Sequence, residues 1–158
     1  MTYDVSNPVI PSPSQAYSNQ QNNFPDPFVF RHDPSQKGVA VVSLAQLHKP
    51  LIYTSTNLIE WTEVSEFGPA NAIGHVCECP GIFPLPLDGN ETNINWITKI
   101  SLNPSRPPST TGPGKQYVVG SFDGTTFLAD PTLSGIAVFQ GFQGSGTFAA
   151  LGWNATEA

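Results

Sequence analysis

A single carboxylate, Glu78, interrupts a run of apolar residues that is otherwise suited to a β-strand. The run extends from His75 to Leu85 and reads HVCECPGIFPL. Glutamate is disfavoured in strands and is rarely buried without a partner. A carboxyl group held in an apolar wall keeps its proton to higher pH, which suits a general acid that works near neutral or mildly acidic pH. The alternative is a glutamate at a strand edge that points at water.

The only two cysteines of the chain, Cys77 and Cys79, flank this glutamate. In an extended strand both would project to one face of the sheet and Glu78 to the other. At that spacing two cysteines form a poor disulfide and supply at best half of a metal site. We therefore expect two small apolar side chains behind the sheet, and neither a metal ion nor a cofactor.

Several strings along the chain resemble motifs of glycoside hydrolase family 32, which contains invertases, inulinases and fructanases. Residues 78–86, ECPGIFPLP, resemble the acid/base motif of that family, and residues 23–30, NFPDPFVF, resemble its Arg-Asp-Pro motif. Residues 41–67 are similar to fungal secreted members, and residues 116–127 are similar to the strand pair that follows. Because these strings occur in the family's order across roughly residues 5–131, the chain is identified as a member of this family.

The resemblance implies the roles of a retaining glycosidase, in which two carboxylates about 5–5.5 Å apart flank the scissile bond. Carried over by position, Glu78 would be the acid/base, and Asp26 would hold the fructosyl hydroxyls and stabilise the transition state. Cys79 and His75 would join Asp26 in binding substrate. Judged by its residue type alone, Asp26 could instead cap a turn between its two prolines, and His75 could be an exposed loop histidine.

Departures from the family pattern reduce the implied activity. Pro25 stands where the motif has arginine, which removes a rigid fork of donors for sugar hydroxyls. Cys77 stands where an aromatic residue is expected before Glu78. The Asn-Asp-Pro-Asn type of string, which carries the nucleophile in this family, does not occur in the chain. Since loss of a covalent nucleophile costs many orders of magnitude in rate, we expect weak or no turnover.

The predicted function is therefore that of a fragment or degenerate copy of a hydrolase acting on β-fructofuranosidic bonds in sucrose, inulin or levan. The alternative is a non-catalytic module that binds fructan or another carbohydrate, or a structural remnant without a ligand. Trp61, Trp96 and Phe83 could stack on sugar rings. Packing at the edge of a sheet is the commoner use of such aromatic residues.

Short strand-like runs separated by turn residues predict an all-β fold. Proline (16) and glycine (14) are abundant, and apolar residues with helical spacing are scarce. The predicted strands are 27–31, 38–44, 51–55 and 62–66 in a first blade, and 76–78, 95–102, 116–122 and 125–128 in a second, with a surface loop at 103–115. The proline-rich residues that follow 76–78 are expected to leave the sheet.

With the resemblance, these runs predict a partial five-bladed β-propeller of about two antiparallel four-stranded blades. The blades would occupy residues 26–131, after an irregular connector at 1–25 and before a divergent tail at 132–158. The inner strands of a propeller line its central channel. Asp26 and Glu78, each near the start of a strand set, should therefore converge there.

Composition restricts the partners. Only 11% of the 158 residues are charged and the net charge is −6, which argues against a nucleic-acid partner. No window approaches the length of a transmembrane helix, so we expect no membrane association. The expected partner is a fructose-containing oligosaccharide or polysaccharide.

Two signals bear on localisation. The first residues lack the charged and apolar regions of a signal peptide. Two sequons, Asn90-Glu91-Thr92 and Asn154-Ala155-Thr156, and the likeness to fungal secreted enzymes nevertheless favour an extracellular protein.

Overall fold

The structure is a computed structural model, and it describes residue 5 and residues 7–70, 75–105, 112–132 and 137–139. Within these ranges the chain forms two antiparallel sheets, which confirms the predicted all-β class. The strands are β1 (Phe28–His32), β2 (Lys37–Leu44), β3 (Lys49–Ser55), β4 (Thr62–Glu66), β5 (Val76–Leu87), β6 (Asn90–Ser105), β7 (Gly112–Phe122), β8 (Phe127–Ala129) and β9 (Ala137–Phe139).

The first sheet has the strand order β1-β2-β3-β4, joined by short turns. Its four strands match the predicted first blade to within two residues at each end. The chain reverses after β1 and after β2 through short 3-10 turns, Asp33–Ser35 and Ala45–Leu47. The residue after each turn, Gln36 or His48, is left-handed, which ends the turn and starts the next strand.

The second sheet has the order β5-β6-β7-β8. β8 pairs with the end of β7, and the short strand β9 pairs with an earlier part of β7 on the same side. The prediction was wrong about the lengths of β5, β6 and β7. Residues 79–87, expected to leave the sheet, continue β5, and most of the expected loop at 103–115 belongs to β6 and β7.

Two apolar clusters lie on opposite faces of the first sheet, because alternate residues of β2 and β3 point to opposite sides. One cluster joins the two sheets and contains Val39, Val41, Ile52, Ile82, Val118, Phe122 and Phe127. The other covers the outer face and contains Ala40, Val42, Leu44, Leu51 and Tyr53, with Ile10, Tyr17 and Phe24 packed on it. β2 and β3 are therefore covered on both faces, and they form a rigid support for the neighbouring strands β1 and β5.

The segment before β1, predicted as an irregular connector, contains a 3-10 stretch at Gln15–Asn23. Side chains of β4 hold it on the outer face of the first sheet. Ser14 Oγ donates to Glu63 Oε1 over 3.1 Å, and the Tyr17 hydroxyl donates to Glu66. In the predicted tail, residues 137–139 form β9, and residues 140–158 lie outside the described part of the chain.

Candidate active site

Asp26 lies in a strained turn just before β1. Its φ is +59°, a left-handed conformation in which aspartate is tolerated better than most residues. The Ser43 N–H donates to the Pro25 carbonyl over 3.3 Å and ties this turn to the end of β2. The Asp26 side chain is exposed, so its carboxylate is open to a ligand.

A β-bulge follows Glu78 in β5. Glu78 pairs with Ser101 of β6, and the next pair is Gly81 with Lys99, so two residues of β5 face one of β6. Cys79 occupies the bulge with a φ of +47°. This left-handed residue breaks the two-residue alternation of the strand. The expectation that Cys77 and Cys79 share one face as apolar fillers is therefore correct for buried Cys77 and wrong for half-buried Cys79.

The bulge and the Asp26 turn contact each other directly. The Cys79 N–H donates to Asp26 Oδ2 over 3.2 Å, and Cys79 Sγ lies 3.6 Å from the same oxygen. A Cβ placed on Gly81 would lie 3.8 Å from Phe28 Cδ1, so β1 and β5 remain close beyond this contact. The structure thus places Asp26 beside the residue that follows half-buried Glu78.

Both partners in this contact are non-glycine residues with positive φ, a conformation that costs about 1–3 kcal/mol each. Such strain persists only where the surrounding structure enforces it, and it concentrates at functional sites. Partial burial and the neighbouring Asp26 carboxylate raise the pKa of the Cys79 thiol. At neutral pH that thiol is protonated and can donate to Asp26.

Ser43 connects both sides of this contact from within the core. Its side chain is fully buried, and its Oγ donates to the Cys77 carbonyl over 2.9 Å. The same oxygen lies 3.1 Å from Cys77 Sγ. Because the Ser43 backbone also binds Pro25, one residue fixes the turn that carries Asp26 and the strand that carries Glu78.

Lys99 and Ser101 of β6 are neighbours of the site that the sequence did not reveal. The register sets Ser101 opposite Glu78 and Lys99 opposite Gly81. Burial lowers the pKa of Lys99, while the nearby Cys79 acts in the opposite direction. Ser101 is 3% exposed, and its Oγ has no hydrogen-bond partner among the described residues. Only the strand register could identify these two residues.

The remaining residues considered for substrate binding are His75 and two tryptophans. His75 is exposed, immediately before β5. Trp96 packs between the sheets, with its ring centroid 6.0 Å from Phe30 and 5.2 Å from Phe122. Trp61 lines an apolar groove on the outer face of the first sheet. Trp96 is therefore a packing residue, whereas Trp61 packs partly on the outer cluster and borders an open groove.

Arg31 does not replace the arginine that Pro25 displaces. It pairs with Asp33 over 3.3 Å and donates to Gln36, at the opposite end of β1 from Asp26. Across the described ranges no three His, Cys, Asp or Glu side chains form a group that could hold a metal ion. In the same part of the chain no helix has the length and apolar character needed to cross a membrane.

Comparison with known proteins relates the whole arrangement to one family. The sequence model of the glycosyl hydrolases family 32 N-terminal domain matches residues 1–154. An extracellular exo-inulinase of Aspergillus niger is 60% identical over 129 residues, which cover 82% of this chain and 24% of the relative. A levanase of Bacillus subtilis is 43% identical over 124 residues, covering 78% of this chain and 17% of the relative.

Solved structures agree with the sequence matches. The crystal structure of exo-inulinase from Aspergillus awamori matches with a TM-score of 0.77 and 55% identity, covering 89% of this chain and 26% of that one. A β-fructofuranosidase from Schwanniomyces occidentalis, complexed with fructosyl-erythritol, matches with a TM-score of 0.71 and 34% identity, covering 86% and 24%. The chain thus spans about a quarter of the length of these relatives. The two sheets fit a partial β-propeller of two blades.

Proposed function

The chain belongs to glycoside hydrolase family 32, and from that premise we propose that it carries the acid/base and the transition-state stabiliser of a hydrolase of β-fructofuranosidic bonds. Glu78 is the proposed acid/base and Asp26 the proposed stabiliser. The observation that supports this assignment is the 3.2 Å hydrogen bond from the Cys79 N–H to Asp26 Oδ2. It joins the two motifs across 53 residues of sequence.

In the proposed reaction Glu78 gives its proton to the glycosidic oxygen and later takes a proton from the attacking water. Asp26 accepts hydrogen bonds from the fructosyl hydroxyls as positive charge develops on the ring. Cys79 contributes by holding the Asp26 carboxylate in place. His75, exposed three residues before Glu78, is proposed as a further contact to substrate. No cofactor takes part in this scheme.

We further propose that these 158 residues turn over substrate weakly or not at all. The Asn-Asp-Pro-Asn type of string is not among them, and Pro25 offers no donor to a sugar. Without a nucleophile the covalent step of a retaining mechanism has no acceptor for the fructosyl group. The chain is then expected to bind fructan saturably without releasing fructose.

The proposed ligands are sucrose, inulin or levan, and the proposed location is extracellular. Relatives named exo-inulinase, levanase and β-fructofuranosidase support the substrate class, and the extracellular exo-inulinases support the location.

The test measures binding and turnover with the same protein. The purified chain is titrated calorimetrically with short inulin fragments and sucrose, and fructose release is followed in parallel. Asp26→Asn is expected to weaken binding at least several-fold, whereas Asp33→Asn, at the far end of β1, serves as the matched control. Fructose release that Glu78→Gln abolishes and Glu91→Gln leaves intact would overturn the proposed inactivity. Absence of both binding and release would overturn the assignment itself.

A further inference from the structure

The hairpin between β5 and β6 exposes a sequon that the proposed hydrolase chemistry does not use. Asp88 and Gly89 form its turn with φ values of +51° and +75°, the two positive angles of a tight hairpin turn. Asn90, Glu91 and Thr92 follow at once and are all exposed. The second sequon, at Asn154, lies outside the described residues.

The three residues are already arranged around the Asn90 amide. Thr92 Oγ1 donates to Asn90 Oδ1 over 2.8 Å, and the Thr92 N–H donates to the same oxygen over 3.0 Å. Both bonds use the amide oxygen and not the amide nitrogen. Donation to that oxygen draws electron density from the amide, so Nδ2 releases a proton more readily.

We propose that Asn90 is an N-glycosylation site. In the modification, Nδ2 attacks the anomeric carbon of an oligosaccharide carried on a lipid pyrophosphate. A carbon–nitrogen bond forms, the bond from the anomeric carbon to the pyrophosphate oxygen breaks, and the lipid pyrophosphate leaves with the electron pair. Nδ2 loses one proton as it attacks, and this proton ends on the departing lipid pyrophosphate.

The strand register shows what the glycan would cover. Asn90 lies opposite Leu87, so their side chains share a face, and Leu85 lies two residues further along the same strand. Leu85 is 38% exposed and Leu87 39% exposed, so two large apolar side chains lie open to water on this face of the hairpin. A hydrophilic glycan on Asn90 would shield them.

The position is compatible with the candidate site. Leu87 is nine residues beyond Glu78 on β5, which corresponds to roughly 25–30 Å along the strand. A glycan at the hairpin tip therefore extends away from Asp26 and Glu78. Modification and fructan binding can coexist on one molecule.

The test passes the full chain through the secretory pathway of a filamentous fungus behind a cleavable signal peptide. Peptides that contain residue 90 are mapped by mass spectrometry before and after treatment with an N-glycosidase, separately from those that contain Asn154. Glycan is expected at Asn90 in the wild type and in Thr92→Ser, which keeps the sequon, and is expected to be lost in Thr92→Ala. An unmodified Asn90 in the secreted wild-type chain would overturn the proposal.

The proposed shielding of Leu85 and Leu87 by the glycan is tested in a separate experiment. The native glycoprotein is compared before and after enzymatic removal of its glycans, at equal concentration, by size-exclusion chromatography. Greater self-association after removal is expected, and it should be suppressed in a chain that also carries Leu85→Ser and Leu87→Ser. An elution profile unchanged by removal would overturn the shielding role.

Discussion

Ser43 shows how much one buried hydroxyl can contribute at the scale of a single residue. The Ser43 hydroxyl binds Cys77 in the strand of Glu78, while the backbone N–H of the same residue binds Pro25 in the Asp26 turn. Removing its hydroxyl leaves the buried Cys77 carbonyl without this partner, and an unsatisfied buried acceptor costs about 1–3 kcal/mol.

We therefore expect Ser43→Ala to lower the free energy of unfolding by about that amount and to raise the alkylation rate of Cys77 in the native state. Urea titration and mass-spectrometric mapping of the alkylated peptides measure the two effects. Ser121→Ala, at an exposed position of β7, is the control. Equal behaviour of the two variants would contradict the connecting role of Ser43.

His32 carries a second prediction at the residue scale. It is 3% exposed, with its ring centroid 5.5 Å from those of Trp96 and Phe122, and burial lowers its pKa below the usual 6.5. Asp123 and Asp33 act in the opposite direction but do not cancel the effect of burial. Because the unfolded chain binds the proton more tightly, stability falls as pH drops below about 6.5 and levels off below the folded-state pKa.

His32→Gln should therefore reduce the loss of stability between neutral and mildly acidic pH. Urea titrations at a series of pH values measure it, with His75→Gln as the exposed counterpart. A His32→Gln protein whose stability keeps the full pH slope of the wild type would contradict this role of burial.

The sequence identified the site residues that belong to a motif. It did not identify those whose position depends on how the strands pair. Glu78 and Asp26 were selected by their strings, and the structure brings the two strings together. Cys79 was misplaced because strict alternation fails at a left-handed bulge. Lys99 was missed because its nearness to Cys79 depends on the register of β5 and β6.

At the scale of elements, apolar runs correctly predicted where the strands lie, whereas prolines led to a wrong prediction of where β5 ends. Pro84 and Pro86 suggested that the chain leaves the sheet, yet both lie within β5. Among the described strands β5 lies at the edge of its sheet and pairs only with β6, so a proline there need not remove a bond of the sheet. Whether a strand lies at an edge is a property of the sheet, and no local pattern reports it.

Gly120 provides a prediction for the β7–β8 hairpin. A Cβ at this position would lie 2.1 Å from the Leu128 carbonyl oxygen, which belongs to the paired backbone and cannot move alone. Gly120→Ala is expected to destabilise the fold by at least about 1–3 kcal/mol, as overpacking does. Chemical denaturation measures the change.

Gly89→Ala is the comparison for this exchange. Its Cβ would meet no atom within 4 Å, although its φ of +75° imposes a strain of about 1–2 kcal/mol on alanine. We expect the Gly120 variant to lose more stability than the Gly89 variant. The reverse order would show that β8 adapts to the added methyl group.

At the scale of the whole molecule, the cluster between the sheets determines whether the two sheets unfold together. Ile82 of β5 is fully buried against residues of the first sheet. Ile82→Ala should cost about 2–5 kcal/mol, whereas Ile94→Ala, at a position that is 43% exposed, should cost much less. Circular dichroism and tryptophan fluorescence should give coincident urea transitions for the wild type.

Separate transitions by these two probes would contradict a shared core.

The outer face of the first sheet is expected to promote self-association, because an apolar groove lined by Val29, Ala40 and Trp61 opens there. Exposed apolar surface and sheet edges favour association. We expect a concentration-dependent elution volume in size-exclusion chromatography, and a sharp monomer peak at all concentrations would contradict it.

The most direct measurement of the central claim, that Asp26 and the strand of Glu78 meet, is the pH dependence of Cys79 alkylation. Burial and the Asp26 carboxylate together raise the pKa of this thiol, so Asp26→Asn should remove the second effect and shift the reaction of Cys79 to lower pH. Asp33→Asn, which alters a carboxylate at the other end of β1, should leave the curve in place. A Cys79 curve that Asp26→Asn does not move would show that the two motifs are apart in solution.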